Sequence, residues 1–195
     1  MKFFEEREIF DYCDKYCRLI YCWLIKPINE QTYKFATECK LSEVSKNGDI
    51  EIVKYLVENG ANIHASDDPV FYTSNEWAVM CAAEMGHLEV VKFLVKNGAN
   101  IHSHHDAAFR WAAQNGHVKT VKYLVENGSN IHTLDEYALI WSAHYGYLEV
   151  VKYLVEQGAD IHINNEKTLR LATGSGHIEI VKYLVENGAD VHSEG

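Results

Sequence analysis

The chain has 195 residues, of which 47% are hydrophobic and 24% are charged, an ordinary balance for a globular protein with a substantial core. Its 28 acidic side chains against 18 Lys and Arg give a net charge of −10, which argues against a protein that tracks nucleic-acid phosphates. The longest apolar run, residues 19–25, is far below the roughly 20 residues that span a bilayer, and the first ten residues lack the order of a signal peptide. Five Cys, an odd number, do not indicate a secreted disulfide framework. We therefore expect a soluble cytoplasmic protein without nucleic-acid or membrane partners.

The N-terminal segment, residues 1–37, differs from the repetitive sequence that follows it. Apolar side chains recur at helical spacing before Pro27 and predict an amphipathic helix: Phe3, Phe4, Ile9, Phe10, Cys13, Cys17 and Ile20. This helix is interpreted as a cap that covers the start of the following array. The alternatives are a docking segment for a separate partner and a metal site at Cys13, Cys17, Cys22 and Cys39. The cysteine spacing lacks the two-residue gaps that are typical of zinc sites.

The rest of the chain contains five copies of one motif. The last copy, from Gly176 to His192, reads GHIEIVKYLVENGADVH. The other four copies are residues 48–64, 86–102, 116–132 and 146–162. The last four copies are spaced by 30 residues and the first by 38. Repetition at such a period is the signature of a solenoid, in which units bury their apolar faces against one another.

Each copy has the pattern of a helix pair. In the third copy, one apolar stripe recurs at helical spacing and ends at Gly128: Val118, Val121, Leu124 and Val125. Upstream, residues 106–115 predict a shorter helix in which Phe109, Ala112 and Ala113 share one face. An acidic residue opens this shorter helix in four copies, where it is expected to cap the helix or to complement its dipole: Glu76, Asp106, Glu136 and Glu166.

Histidines recur at two repeat positions. One set follows the glycine turn and is expected to have a structural role, because stacked units place its members about 10 Å apart, too far to share a metal: His64, His102, His132, His162 and His192. A post-translational modification at this position is the alternative. A second set follows the helix-start glycine: His87, His117 and His177. The only true cluster, His102, His104 and His105 beside Asp106, is interpreted as a polar loop, with a weak metal site as the alternative.

Two further sets of side chains recur within the second predicted helix of each copy. One set is a row of lysines: Lys54, Lys92, Lys122, Lys152 and Lys182. In four of the five copies a Glu four residues later is expected to balance the charge of the lysine, so the row is not expected to bind nucleic acid. A row of rings is expected to form a packing ridge, with an exposed docking stripe as the alternative: Tyr55, Phe93, Tyr123, Tyr153 and Tyr183.

The recurring G-H-x-E-x-V-K-x-L-V-E-x-G-A-[DN]-I core resembles the ankyrin repeat over residues 38–195. The resemblance implies an all-α solenoid of about five stacked helix pairs with short loops and an N-terminal helical cap. Its repeats would cover residues 38–65, 76–103, 106–133, 136–163 and 166–193. The family usually has about 33 residues per repeat, so the missing three predict tight loops in place of β-fingers between repeats three to five. The style is similar to ankyrin proteins of giant DNA viruses, for which the host cytoplasm would be the location.

The resemblance also implies a partner surface. In the family, partners usually meet the hairpin tips and the concave face of the first helices, which places the following positions in the groove: Glu84, Met85, Gln114, Asn115, His144 and Tyr145. The longer first spacing adds eight residues to the 65–77 loop, whose exposed apolar side chains would be costly without a partner: Val70, Phe71, Tyr72 and Trp77. The alternative is that this loop plugs a widened gap between the first two repeats.

The predicted function is a non-catalytic protein–protein interaction scaffold. The sequence has no phosphate loop, dinucleotide fingerprint, zinc-protease motif or nucleophile elbow, so we expect no catalytic residue, no cofactor and no metal. The alternative is an adaptor whose N-terminal segment recruits a second protein, for example a ubiquitin-ligase component. The last copy keeps the full apolar pattern of the inner ones. It is interpreted as a soft cap weakened by Thr173, Gly174 and Ser175, with a continuing chain or self-association through the C-terminal repeat as the alternatives.

Overall fold

A computed structural model describes residues 41–65 and 76–193. Within these residues ten helices form five pairs and no strand occurs: α1 Leu41–Asn47, α2 Ile50–Glu58, α3 Trp77–Glu84, α4 Leu88–Lys96, α5 Ser103–Gln114, α6 Val118–Glu126, α7 Thr133–His144, α8 Leu148–Glu156, α9 Ile163–Gly174 and α10 Ile178–Glu186. The predicted all-α array of stacked helix pairs is confirmed. The predicted N-terminal cap lies outside the described residues.

The helices form two layers. The odd-numbered, inner helices pack against one another more extensively than the even-numbered, outer helices do. Small buried side chains allow this close approach, as with Ala82 and Ala83 on α3 and Ala112 and Ala113 on α5. Closer spacing of the inner layer curves the array, so the inner helices line its concave side.

The core runs between the layers. Phe109 and the leucines of the outer helices are among its fully buried side chains: Leu94, Leu124, Leu154 and Leu184. The last described pair is different, because Ile178 is 65% exposed and Val191 is 60% exposed. Neighbouring repeats cover the equivalent side chains in the earlier copies at least in part, as they do for Leu148. The apolar end face of the last pair has no such cover within the described residues.

Three inner helices begin with a left-handed turn. Residues 104–106, 134–136 and 164–166 all have φ between 49° and 60°. A left-handed conformation costs about 1–2 kcal/mol per residue that carries a Cβ, so other contacts must hold each turn. This compact turn takes the place of a hairpin finger, in agreement with the tight loops predicted from the shortened repeat.

Buried carboxylates paired with histidine stabilise this part of each repeat. The acidic residues that open the inner helices are 3–7% exposed, and each contacts the ring Nδ1 of the preceding histidine: His64–Glu76, His102–Asp106, His132–Glu136 and His162–Glu166. The His102–Asp106 distance is 2.9 Å and that of His132–Glu136 is 2.5 Å. These four histidines have the predicted structural role. The expected capping role of the acid does not hold at α3, where Glu76 makes no side-chain hydrogen bond to the helix.

One of these pairs has a pH dependence that can be measured. The hydrogen bond to Glu166 raises the pKa of His162, burial acts in the opposite sense, and the charges of Glu166, Asp160 and Asp190 raise it further. Protonated His162 therefore stabilises the fold fully below its unfolded pKa of about 6.5, and this contribution is lost as the pH rises through the raised value.

We expect His162→Gln to lower the melting temperature more at pH 6 than at pH 8.5, as followed by circular dichroism. His192→Gln is the matched control, because His192 has the same repeat position and the same backbone bond to an Asp two residues earlier, but its ring has no carboxylate partner within the described residues. An equal loss at both pH values would contradict the role assigned to the His162–Glu166 pair.

The second set of histidines links neighbouring repeats through the backbone. The ring Nε2 of His117 donates to Glu84 O at 2.8 Å, that of His177 to His144 O at 2.9 Å, and that of His87 to Lys46 O at 3.0 Å. Each ring crosses to the repeat before its own. These histidines therefore contribute to the stacking of neighbouring repeats.

The charges of the lysine row are balanced by nearby carboxylates, but these are not the predicted ones. Four lysines pair with the Glu three residues earlier at 2.9–3.2 Å, instead of the Glu four residues later: Lys54–Glu51, Lys92–Glu89, Lys152–Glu149 and Lys182–Glu179. The third copy has Lys119 in place of that Glu, and Lys122 Nζ lies 5.2 Å from the ring centre of Tyr153. These exposed pairs contribute little stability.

Candidate functional site

Five partly exposed aromatic side chains line the inner helices, and we call them the aromatic surface: Trp77, Trp111, Tyr137, Trp141 and Tyr145. Trp77 and Trp111 meet edge to face, with ring centres 5.7 Å apart and planes at 89°. This arrangement is favourable because the positive edge of one ring contacts the negative face of the other. The contact joins α3 to α5, so the surface crosses a repeat boundary.

Trp141 on α7 is the centre of the second half of the aromatic surface. Its ring lies 5.9 Å from that of Tyr145 in a stacked arrangement and 5.8 Å from that of Tyr137. The His144 ring meets Trp141 edge-on at 5.3 Å. Tyr145 remains 46% exposed. Rigid rings that are held by one another and still reach solvent have little conformational entropy to lose on binding.

Arg110 connects the aromatic surface to the left-handed turn of its own repeat. Its guanidinium lies 4.9 Å from the ring centre of Tyr137, within the range of a cation–π contact. Arg110 Nε donates to His105 O and Nη2 to His104 O, both at 2.8 Å. Burial lowers the pKa of Arg110, and the neighbouring Tyr137 and Asp106 partly offset this. The guanidinium remains charged and is fixed in place.

Gln114 and Tyr137 form a second polar contact on this surface. The Tyr137 hydroxyl donates to Gln114 Oε1 at 2.8 Å, which joins α7 to α5. Burial raises the pKa of Tyr137, and the charge of Arg110 lowers it by less. The phenol is therefore neutral near pH 7 and acts as a donor.

The six predicted groove positions lie at the ends of the inner helices. Met85 is 40% exposed, and Asn115 uses its side-chain amide to close α5 by donating to Trp111 O at 2.9 Å. His144 Nδ1 lies 2.9 Å from Ser175 Oγ of the next repeat. Glu84 and Gln114 are partly buried. Their role in partner binding stays a prediction.

Sequence reasoning missed three members of the aromatic surface: Trp111, Tyr137 and Trp141. The signal was present in the alignment of the copies. The position of Trp111 and Trp141 holds Glu43, Cys81 and Leu171 in the other three copies, so packing does not dictate one residue type there. The predicted groove positions are the two before each glycine, and this third variable position lies five residues before the glycine.

Several predictions fall outside the described residues. Val70, Phe71 and Tyr72 of the 65–77 loop, and residues 1–37 with their proposed adaptor role, stay predictions. In the described ranges, 41–65 and 76–193, no group of three or more His, Cys, Asp or Glu is placed to hold a metal ion. Within the same ranges, every helix is too short or too polar to cross a membrane.

The family comparison agrees with this architecture. The family model for ankyrin repeats, which contains three copies, matches residues 41–135 and again residues 111–194. A search of curated proteins finds no significant match. The family match carries no indication of a giant-virus origin, so that resemblance stays a prediction. The two matched ranges together cover the five helix pairs, and the chain belongs to the ankyrin-repeat family.

Proposed function

We propose that this chain is a non-catalytic cytoplasmic scaffold that binds a protein partner through its concave groove and the 65–77 loop. Ankyrin repeats are in general protein–protein interaction modules, and proteins built from them are typically not enzymes. The proposed contact residues combine the groove positions, the loop and the aromatic surface. Val70, Phe71 and Tyr72 of the loop lie outside the described residues and are included because exposed apolar side chains would be costly without a partner.

The observation that carries the proposal is the aromatic surface itself. Trp and Tyr dominate the energetic centres of protein interfaces because they bury a large apolar area with few rotatable bonds. Here they are partly exposed and lie on, or directly after, the inner helices α3, α5 and α7. Scaffold packing does not require them, because Cys81 and Leu171 fill the position of Trp111 and Trp141 in other repeats.

We expect Trp141→Ala to weaken partner binding by about 2–4 kcal/mol, since this ring contacts three other side chains of the groove. The full chain would be affinity-purified from cells that express it, and co-purifying proteins would be compared by mass spectrometry. The expected result is a protein retained by the parent and strongly depleted with Trp141→Ala.

Tyr153→Ala is the matched control for this experiment. Tyr153 is also a partly exposed ring, but it lies on the outer helix α8. A partner lost with Tyr153→Ala and retained with Trp141→Ala would place the docking face on the outer helices and contradict the proposal.

Self-association through the C-terminal repeat is a second part of the proposal. Ile178, Val185 and Val191 are 65%, 40% and 60% exposed on one end of the array. Sedimentation of the parent is expected to show a concentration-dependent dimer, because burial of this apolar face is favourable. Ile178→Lys is expected to shift the protein to monomer, and a dimer unaffected by this change would exclude this end as the contact.

A further inference from the structure

We infer that the groove across α5 and α7 recognises an acidic and apolar peptide segment, in which a carboxylate binds Arg110 and an apolar side chain packs on Trp141 and Tyr145. This inference rests on the proposed function and specifies the chemistry of the partner. It follows from the hydrogen-bond capacity of the side chains that line this part of the groove.

Arg110 supplies the charged element. A guanidinium has five N–H donors, and Arg110 uses one on Nε and one on Nη2 for the carbonyls of its own turn. Three donors remain without a partner within the described residues. Because these two bonds and the Tyr137 ring fix the plane of the guanidinium, an incoming carboxylate meets a group that is already oriented.

The neighbouring polar groups also present donors. The indole N–H groups of Trp111 and Trp141 can only donate, and neither has a partner among residues 41–65 and 76–193. Gln114 already uses its amide oxygen to accept from Tyr137, so its NH₂ group is left to donate. A donor that becomes buried without an acceptor costs about 1–3 kcal/mol, so a partner of high affinity must bring acceptors.

The acidic side chains of this layer do not fill that role. The carboxylates of Asp106 and Glu136 are buried and bonded to their own histidines. On α3, α5 and α7 the other acids are Glu84 and Asp135, at the end of α3 and in the left-handed turn at the start of α7. Arg110 makes no ion pair with any described carboxylate. Acidity on the partner therefore complements this part of the groove, although the whole chain has a net charge of −10.

The apolar part of the ligand is fixed by the ring stack. Trp141 and Tyr145 lie nearly parallel, at 27°, and Tyr145 is 46% exposed. A flat, partly solvated pair of this kind gains most from an aliphatic or aromatic side chain. The predicted ligand thus has Asp or Glu close to a large apolar residue.

The test is a selection from a phage-displayed library of random 12-residue peptides on the full chain. Enriched peptides are expected to carry Asp or Glu near a large apolar residue. One of them is then synthesised with its acidic residue as Glu or as Gln, and both forms are titrated into the parent and into Arg110→Gln. The Glu→Gln change is expected to weaken binding to the parent about tenfold and to have little effect on Arg110→Gln.

This double-mutant cycle remains valid if Arg110→Gln loosens the left-handed turn, because a loss of folded protein affects both peptides equally. Arg170→Gln is the matched control. Arg170 has the same repeat position and its Nη2 also reaches a turn carbonyl, that of Asn164 at 3.4 Å, but it makes no ring contact within the described residues. Coupling to the peptide carboxylate is expected for Arg110 and not for Arg170.

The remaining outcomes separate this inference from the proposed function. Selected peptides that are basic or neutral, but lose binding with Trp141→Ala, would overturn the acidic ligand and leave the groove as the docking face. Peptides that bind Trp141→Ala as well as the parent would overturn both. A library with no peptide enriched over bare support would overturn recognition of a linear segment.

Discussion

Gly86→Ala is expected to destabilise the protein by about 3–5 kcal/mol, a large part of the stability of an ordinary domain. Gly86 has φ of +76°, and an added Cβ would lie 2.4 Å from Nδ1 of the His117 ring. The left-handed conformation costs about 1–2 kcal/mol with a Cβ, and the displaced ring adds about 1–3 kcal/mol of overpacking. The His117 bond to Glu84 O, worth about 1 kcal/mol, is then lost as well.

Gly98→Ala separates the backbone cost from the clash. Gly98 has φ of +101°, but nothing lies within 4 Å of the Cβ that alanine would place there. Only the conformational cost of about 1–2 kcal/mol is expected. Urea denaturation of the two variants measures the difference, and equal losses would show that the His117 ring moves aside freely.

A second substitution checks the mechanism of the Gly86 effect. His117→Ala removes the ring that the new Cβ would meet, so the two changes are in direct contact and should not be additive. We expect Gly86→Ala to cost less in the His117→Ala background than in the parent. An additive result would place the cost of Gly86→Ala in the backbone alone.

The repeat period made the fold predictable, and it also explains which local details were missed. Five copies of one apolar pattern predict helix pairs whatever the detailed turns are, because stacking alone buries both faces of the inner units. The burial of Glu136 could not be predicted from the repeat pattern. A carboxylate at the start of a helix normally indicates a cap, and only the three-dimensional turn brings His132 to it.

The candidate site was predicted less well because function and packing share the inner helices. Trp111 and Phe109 are two residues apart, both aromatic, and equally consistent with a core. The structure separates them: Phe109 is fully buried and Trp111 is partly exposed. Helical spacing gives the face of a helix, but which face meets a neighbouring repeat and which meets solvent depends on the stacking geometry.

Position in the array is expected to decide the effect of an identical core substitution. Leu124 and Leu184 occupy the same repeat position and are both fully buried. The helix of Leu124, α6, packs against both α4 and α8, whereas that of Leu184, α10, packs within the described residues against α8 and its own inner helix. Truncation of a buried Leu to Ala costs about 2–5 kcal/mol, and the value depends on how far the surroundings collapse into the cavity.

We expect Leu124→Ala to cost about 3–5 kcal/mol and to lower the stability of the whole array, because every unit on either side depends on the central stack. Leu184→Ala is expected to cost about 2–3 kcal/mol at most and to act locally, since the end unit can relax or open alone. Amide hydrogen exchange distinguishes these results: faster exchange should spread over all helices for Leu124→Ala and stay within α9 and α10 for Leu184→Ala. If Leu184→Ala also accelerates exchange in α3 to α6, the array unfolds as one cooperative unit and its end is as firmly held as its middle.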